Sequence, residues 1–174
     1  LYNFPELTGN RISLETIAAF ADRAPMAGIK QSGGEFDYHP ELIELGRAKN
    51  FSVFSGADTR LEEVFKLGAT GCIGGLVDFV PELMVEIFRV CCEGATGDAA
   101  LAGERMRAVG AVVGKLTFPL NVAAGVEARG FEPGHPKTIV SQESARLYRE
   151  ITAELRVLFK AWKLRPGLGR SGRK

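Results

Sequence analysis

Two side chains in the first 30 residues are of types that could do covalent chemistry on a ketone. Lys30 ends the short apolar run MAGI and is followed by the polar, glycine-rich turn QSGG. An amine that an apolar strand shields from water loses solvation, which disfavours its charged form. A neutral amine attacks a ketone to form a Schiff base, and the protonated imine then serves as an electron sink. Lys30 is therefore a candidate nucleophile; the simpler interpretation is a solvated lysine at a strand end.

A phenol near such an amine could move the protons that imine chemistry requires. Tyr2 lies in the opening segment LYNFPELTG, and a positioned tyrosine can act as a general acid or base. When the carbon next to the imine loses a proton, or a carbon–carbon bond breaks there, an enamine is left. Together, Tyr2 and Lys30 predict chemistry at the carbon beside a ketone.

The elements that must position these residues are predicted to be strands of a parallel sheet. The apolar runs MAGIK, FSVFSG and TGCIGGL alternate with helical segments about every 20 residues, a pattern typical of βα units. The residues Leu1-Tyr2 are typical of the end of a further strand. Because the carboxyl ends of parallel strands meet at one edge, where binding and catalytic groups collect, the unusual residues should converge there. They are Tyr2, Lys30, the turn Gly56-Ala57-Asp58 and the pair Gly74-Gly75.

The alternation divides the chain into three predicted parts. We expect βα units over residues 1–95, a helical extension over 96–162 and a basic, disordered tail over 163–174. Periodicity alone leaves two architectures open, an open doubly wound sheet and half of an eight-stranded βα barrel, since a whole barrel needs about 250 residues. A chain that opens at Leu1, on the end of a strand, is expected to be a fragment of a longer protein.

Composition and residue spacing argue against several classes of partner. A net charge of +1 gives no reason to expect nucleic acid or an anionic membrane as a partner. No apolar run approaches the roughly 18 residues of a membrane span, and no signal peptide is visible. The three cysteines do not suggest a disulfide framework and favour a reducing compartment, the cytoplasm. The histidines His39 and His135 lie far apart without ligand spacing, so no metal is expected.

Four motifs together resemble a known family. YNFPELTG, GIKQSGG, FSGAD and GATGCIGG, at residues 2–9, 28–34, 54–58 and 68–75, are similar in order and spacing to motifs of the dihydrodipicolinate synthase and N-acetylneuraminate lyase family. The members of this family are class I, pyruvate-type aldolases. The resemblance implies the C-terminal half of a (β/α)8 TIM barrel, strands five to eight, with a C-terminal helical extension. It also implies a cytoplasmic homo-oligomer, a dimer or tetramer, in full-length form.

The resemblance implies roles for individual residues. Lys30 would be the Schiff-base lysine and Tyr2 the proton relay. Ile73 would line the pyruvate pocket, and Gly56 and Asp58 would contact the hydroxylated tail of the substrate, although helix capping explains Asp58 equally well. The covalent imine through Lys30 implies no cofactor and no metal. The implied partners are a pyruvate-type 2-oxo acid and an aldehyde.

Two departures from the family's motifs bear on the substrate. Leu7 stands where dihydrodipicolinate synthases typically carry an arginine that binds the carboxylate of aspartate semialdehyde. Gly75 stands where sialic acid lyases usually have a serine. The motif is most similar to that of aldolases acting on 2-keto-3-deoxy sugar acids, which is the predicted activity. The alternatives are N-acetylneuraminate lyase or dihydrodipicolinate synthase activity, or a non-catalytic, ligand-binding or scaffold member of the fold.

Overall fold

The computed structural model describes residues 1–34 and 36–164. These residues form two compact units. The first comprises Leu1–Gly74 and Met84–Gly103, and the second comprises Gly75–Leu83 and the described residues from Glu104 onward. The basic tail predicted for 163–174 lies outside the described residues from residue 165 onward.

A parallel sheet of four strands forms the centre of the first unit. The strands are adjacent in chain order and are β1 (Tyr2–Asn3), β2 (Gly28–Gln31), β3 (Ser52–Ser55) and β4 (Gly71–Cys72). One row across the sheet is Tyr2, Lys30, Phe54 and Gly71, and the next is Asn3, Gln31, Ser55 and Cys72. Because successive strand residues point to opposite faces, the two rows line opposite faces of the sheet. The predicted α/β class with a parallel sheet is confirmed.

Helices follow the first three strands of the first unit. They are α1 (Pro5–Thr8), α2 (Leu14–Ala21), α3 (Tyr38–Lys49) and α4 (Leu61–Leu67), the last preceded by a 3-10 turn over Asp58–Arg60. Ser13 caps α2, since its hydroxyl accepts the Thr16 N–H at 3.2 Å. Gly68 ends α4 in the left-handed conformation, with φ 99°, which glycine adopts without steric cost.

The core of the first unit is apolar and lies where α3 packs on β3. Ile29 and Val53 are register partners on neighbouring strands, and both are buried. Buried helix residues complete this core: Ile17, Leu42, Ile43, Leu61 and Val64. The alternation of buried and more exposed residues along β2 and β3 leaves the face that carries Lys30 more open than the face that carries Ile29.

The remaining helices are α5 (Pro81–Glu93), α6 (Ala99–Val113), α7 (Leu120–Ala128) and α8 (Gln142–Ala161). In the second unit, α7 packs against α8. A buried Arg129 donates hydrogen bonds to both carboxylate oxygens of Glu82 and to the Phe79 carbonyl. Among the described helices, none combines the length and the apolar composition that a membrane crossing requires.

Candidate active site

Tyr2 and Lys30 lie side by side at the carboxyl ends of β1 and β2. They are register partners, and the Lys30 Nζ lies 4.4 Å from the centre of the Tyr2 ring. Lys30 is half-buried, whereas 49% of the Tyr2 surface is exposed. The structure therefore brings together the two residues that sequence analysis selected, with the amine against the face of the phenol.

Ser32 is a third polar residue of this group, and sequence analysis missed it. It is buried, and its Oγ accepts a hydrogen bond from the Tyr2 hydroxyl at 3.3 Å. Ser32 also explains the glycine that follows β3, because a Cβ atom at Gly56 would lie 2.2 Å from the Ser32 Oγ. The signal in the sequence is a serine two positions after Lys30, the spacing that places two side chains on one side of an extended chain.

Asp58 lies against the loop that follows β4. The Cys72 thiol donates to Asp58 Oδ1 at 3.4 Å, and a Cβ atom at Gly74 would lie 1.4 Å from that same oxygen. Burial, followed by the charge of Asp58, raises the pKa of the Cys72 thiol and keeps it protonated. The carboxylate of Asp58 thus lies at the strand-end edge of the sheet. It contacts Cys72, whose row lines the face of the sheet opposite the face that carries Lys30. Helix α4 has Arg60, not Asp58, as its N-cap residue.

Ile73 and Gly56 are held at the same edge by their backbones. The Ile73 N–H donates to the Ser55 carbonyl at 2.9 Å, and the Gly56 N–H donates to the Gln31 carbonyl at 2.7 Å. Half of the Ile73 surface is exposed. Each of these two bonds joins the end of one strand to the end of its neighbour, which places Gly56 beside Ser32 at the end of β2 and Ile73 beside the end of β3.

Polar side chains also line the buried face of the sheet. Asn3 Nδ2 donates to Gln31 Oε1 at 2.7 Å, and Gln31 Nε2 donates to the Ser32 carbonyl at 3.2 Å. Asn3 Oδ1 accepts the Ile12 N–H at 3.0 Å. Because a buried polar group is costly without a partner, these bonds fix the ends of β1 and β2 relative to each other. From the opposite face of the sheet, these bonds therefore hold in place the two strands that carry Tyr2 and Lys30.

His39, which sequence analysis considered only as a metal ligand, is fully buried beneath β3. Its Nδ1 lies 3.0 Å from the Phe36 carbonyl, an acceptor, so Nδ1 carries the proton. Burial lowers the pKa of His39, and the neutral ring then accepts at Nε2 from the Ser55 hydroxyl at 2.9 Å. Ser55 Oγ in turn accepts the Ala57 N–H at 3.0 Å. In the part of the chain that the structure describes, no group of three His, Cys, Asp or Glu residues could hold a metal ion.

Comparison with known proteins places this chain in a family. The model of the Dihydrodipicolinate synthetase family matches residues 1–155. The chain is 32% identical over 167 residues to a 4-hydroxy-tetrahydrodipicolinate synthase of Haloarcula marismortui, an alignment that covers 89% of this chain and 52% of the relative. It is 34% identical over 109 residues to the probable 2-dehydro-3-deoxy-D-pentonate aldolase YjhH of Escherichia coli, covering 61% of this chain and 36% of that protein.

A solved structure shows the same fold. The prophage protein YagE of E. coli, crystallised in complex with pyruvate, superposes with a TM-score of 0.77 at 23% identity, over 94% of this chain and 55% of that one. The chain thus spans about half the length of the Haloarcula synthase and of YagE. The match to the family model covers all four strands and the residues gathered at their ends, and the chain belongs to the dihydrodipicolinate synthetase family.

Proposed function

We propose that the protein containing this chain is a class I aldolase that forms an imine between Lys30 and a pyruvate-type 2-oxo acid. The observation that carries the proposal is the placement of Lys30 Nζ 4.4 Å from the centre of the Tyr2 ring, at the ends of adjacent parallel strands. Imine formation needs a nucleophilic amine and a nearby group that transfers protons. Family membership supports the same class of reaction. The imine is covalent, so the proposal includes neither a cofactor nor a metal.

For a 2-keto-3-deoxy acid, the reaction has four steps. The Lys30 amine attacks the C2 carbonyl, and loss of water, with a proton supplied by the Tyr2 hydroxyl, gives a protonated imine and a Tyr2 phenolate. The C3–C4 bond breaks as the C4 hydroxyl gives its proton to this phenolate, and the bond's electron pair moves toward the imine nitrogen. The aldehyde departs, and the enamine that remains takes a proton from Tyr2 at C3, which restores the protonated imine and the phenolate. Water then attacks the imine as the phenolate takes up its proton, and pyruvate and the free amine are released. Ser32, which holds the Tyr2 hydroxyl, orients the relay in this scheme.

We further propose that β1–β4 are strands five to eight of a (β/α)8 barrel within residues 1–95, followed by a helical extension over 96–162. The parallel order of the four strands and the coverage of about half of the YagE chain support this assignment. The other half of the barrel would close the sheet and supply the groups that bind the pyruvate carboxylate. We place the complete protein in the cytoplasm as a homo-oligomer, a dimer or tetramer.

A 2-keto-3-deoxy sugar acid is the substrate that we propose. Leu7 lies exposed after Tyr2 and offers no cation for the carboxylate of aspartate semialdehyde. Hydroxyl-bearing substrate tails suit the polar edge formed by Ser32, Asp58 and the backbone at Gly56, and the similarity to the pentonate aldolase favours the same class. Pyruvate would sit against Ile73. The similarity to the Haloarcula synthase makes condensation with aspartate semialdehyde the second candidate.

Borohydride trapping tests the proposal. In the full natural chain that carries residues 1–174, pyruvate should form an imine at Lys30, and borohydride should reduce that imine to a stable adduct that peptide mass mapping locates. Lys30→Arg keeps the positive charge but removes the nucleophile, since guanidinium stays protonated. Trapping and turnover should both disappear in this variant while its circular dichroism is unchanged. An adduct at another lysine, or an active Lys30→Arg variant, would overturn the proposal.

A further inference from the structure

His39 connects the segment after Lys30 to the turn after β3, which we call the β3 turn (Gly56–Asp58). The connection is a chain of three hydrogen bonds. The Ala57 N–H donates to Ser55 Oγ, the Ser55 hydroxyl donates to His39 Nε2, and His39 Nδ1–H donates to the Phe36 carbonyl. Every hydrogen-bonding atom of the imidazole is used, so the ring has one orientation and one tautomer.

A second contact joins the same two segments. The guanidinium carbon of Arg60 lies 3.4 Å from the centre of the Phe36 ring, and the Phe36 ring lies 4.9 Å from the His39 ring. The segment from Phe36 to His39 therefore touches the chain on both sides of the β3 turn, at Ser55 before it and at Arg60 after it. Two anchors of different chemistry fix the position of the four residues between them, which include the β3 turn.

Burial of the His39 imidazole has a cost in free energy. Taking its polar atoms out of water costs free energy that the hydrogen bonds recover only in part, and an apolar side chain of similar volume would avoid that cost. What the apolar side chain could not do is orient the Ser55 hydroxyl, which in turn holds the Ala57 N–H. A histidine at this position is therefore suited to fixing the position of the β3 turn.

We propose that His39 is a positioning residue that sets the β3 turn and thereby determines how the protein binds the aldehyde end of its substrate. The inference rests on the proposed function, in which Gly56 and Asp58 contact the hydroxylated tail. His39 has no role in imine formation, since its bonds run to Ser55 and Phe36 and not to Lys30 or Tyr2. Removing its Nε2 acceptor should therefore impair cleavage of a sugar acid and leave the reaction of Lys30 with pyruvate intact.

Two substitutions separate this role from simple packing. Glutamine at position 39 places an amide oxygen near the site of Nε2 and keeps an acceptor for Ser55, whereas asparagine is too short to reach Ser55 and keeps only the donor toward Phe36. Both are neutral and polar. In the full natural chain, His39→Asn should lower kcat/KM for cleavage of 2-keto-3-deoxygluconate on the order of 10- to 100-fold, the effect of a displacement near 1 Å. In His39→Gln, kcat/KM for the same cleavage should stay within about threefold of the wild-type value, a smaller change than the loss of an oriented contact causes.

Two further readouts make the outcomes distinct. Pyruvate trapping at Lys30 should match wild type in both variants, and hydrogen exchange of peptides covering residues 55–60 should accelerate in His39→Asn only. Ser55→Ala removes the shared hydroxyl and should reproduce His39→Asn, which keeps the test valid if His39→Asn does not fold. Equal loss in the Gln and Asn variants, or loss of trapping together with cleavage, would overturn the positioning role. Absence of trapping in wild type would overturn the proposed function instead, and the exchange measurement would still test the link between His39 and the β3 turn.

Discussion

At the scale of residues, the candidate site is a lysine amine against a tyrosine ring, with a buried serine holding the tyrosine hydroxyl. Lys30 and Tyr2 come from neighbouring strands, and Ser32 comes from the segment that directly follows Lys30. In the proposed mechanism, this arrangement separates the nucleophile, Lys30, from the group that moves protons, Tyr2. The two functions should therefore fail differently when their residues are replaced.

Tyr2→Phe tests the proton relay. The variant keeps the ring beside Lys30 but removes the hydroxyl, so turnover should fall by roughly two or more powers of ten, as loss of a positioned proton shuttle does. Some borohydride trapping should remain, because the amine is untouched. Tyr148→Phe is the matched control, since the Tyr148 hydroxyl donates to Glu127 in the second unit and has no part in the proposed chemistry. Wild-type turnover in Tyr2→Phe would exclude Tyr2 as the relay.

Leu7 provides a test of substrate choice. Wild type should have a higher kcat/KM for cleaving a 2-keto-3-deoxy sugar acid than for condensing pyruvate with aspartate semialdehyde. Leu7→Arg should raise kcat/KM for the condensation about tenfold, the effect expected of one charged hydrogen bond to a carboxylate. Because 74% of the Leu7 surface is exposed, the replacement should be tolerated. Leu7→Gln controls for polarity, and a wild-type preference for aspartate semialdehyde would overturn the sugar-acid assignment.

At the scale of elements, α3 does more than cover the sheet. The segment leading into it and its second residue, His39, hold the turn that follows β3, while Asn3 and Gln31 tie β1 to β2 on the same buried face. The side chains of Tyr2 and Lys30 lie on one face of the sheet, and the polar side chains that fix the strand ends lie on the other. This division explains why polar residues occupy buried positions in a sheet whose core is otherwise apolar.

Burial of a neutral His39 predicts sensitivity to acid. Its pKa is lowered by burial in the folded protein, while an unfolded histidine titrates near about 6.5, so the unfolded state takes up the proton first as the pH falls. The stabilisation that the neutral ring contributes is therefore present above about pH 6.5 and decreases as the pH falls below it. Thermal melts of the full natural chain at pH 7.5 and 5.5 should show a smaller acid-induced decrease in Tm for His39→Gln than for wild type. Equal decreases in the two proteins would show that His39 does not titrate in this way.

At the scale of the whole molecule, the four-stranded sheet has a more open face and two outer strands, β1 and β4, each of which pairs on one side only among the residues that the structure describes. Strand edges with free hydrogen-bonding groups promote association between chains. In the proposed barrel, the preceding half would pair with both outer strands and cover the face that carries Lys30. The completeness of the barrel should therefore decide the solution behaviour of the chain.

Residues 1–174 expressed alone should be poorly soluble or self-associating, whereas the full natural chain should be a soluble homo-oligomer. Size-exclusion chromatography with light scattering, together with thermal melts, measures the difference. The comparison requires equal protein concentrations, because association depends on them. A monodisperse monomer of residues 1–174 that melts cooperatively would contradict the prediction.

The sequence by itself determined the α/β class and the parallel order of βα units, and it predicted the two residues at the centre of the candidate site. Lys30 and Tyr2 could be selected because a reactive amine and a phenol at strand ends, within ordered motifs, are signals carried by local residue types. Ser32, Ser55 and His39 could not, since a serine or a histidine in isolation is compatible with many environments. Only the tertiary structure, by packing α3 under β3 and aligning β1 with β2, brings distant residues within hydrogen-bonding distance. It also decided that Asp58 contacts Cys72 and is not the N-cap residue of α4, because that depends on where the chain after β4 passes.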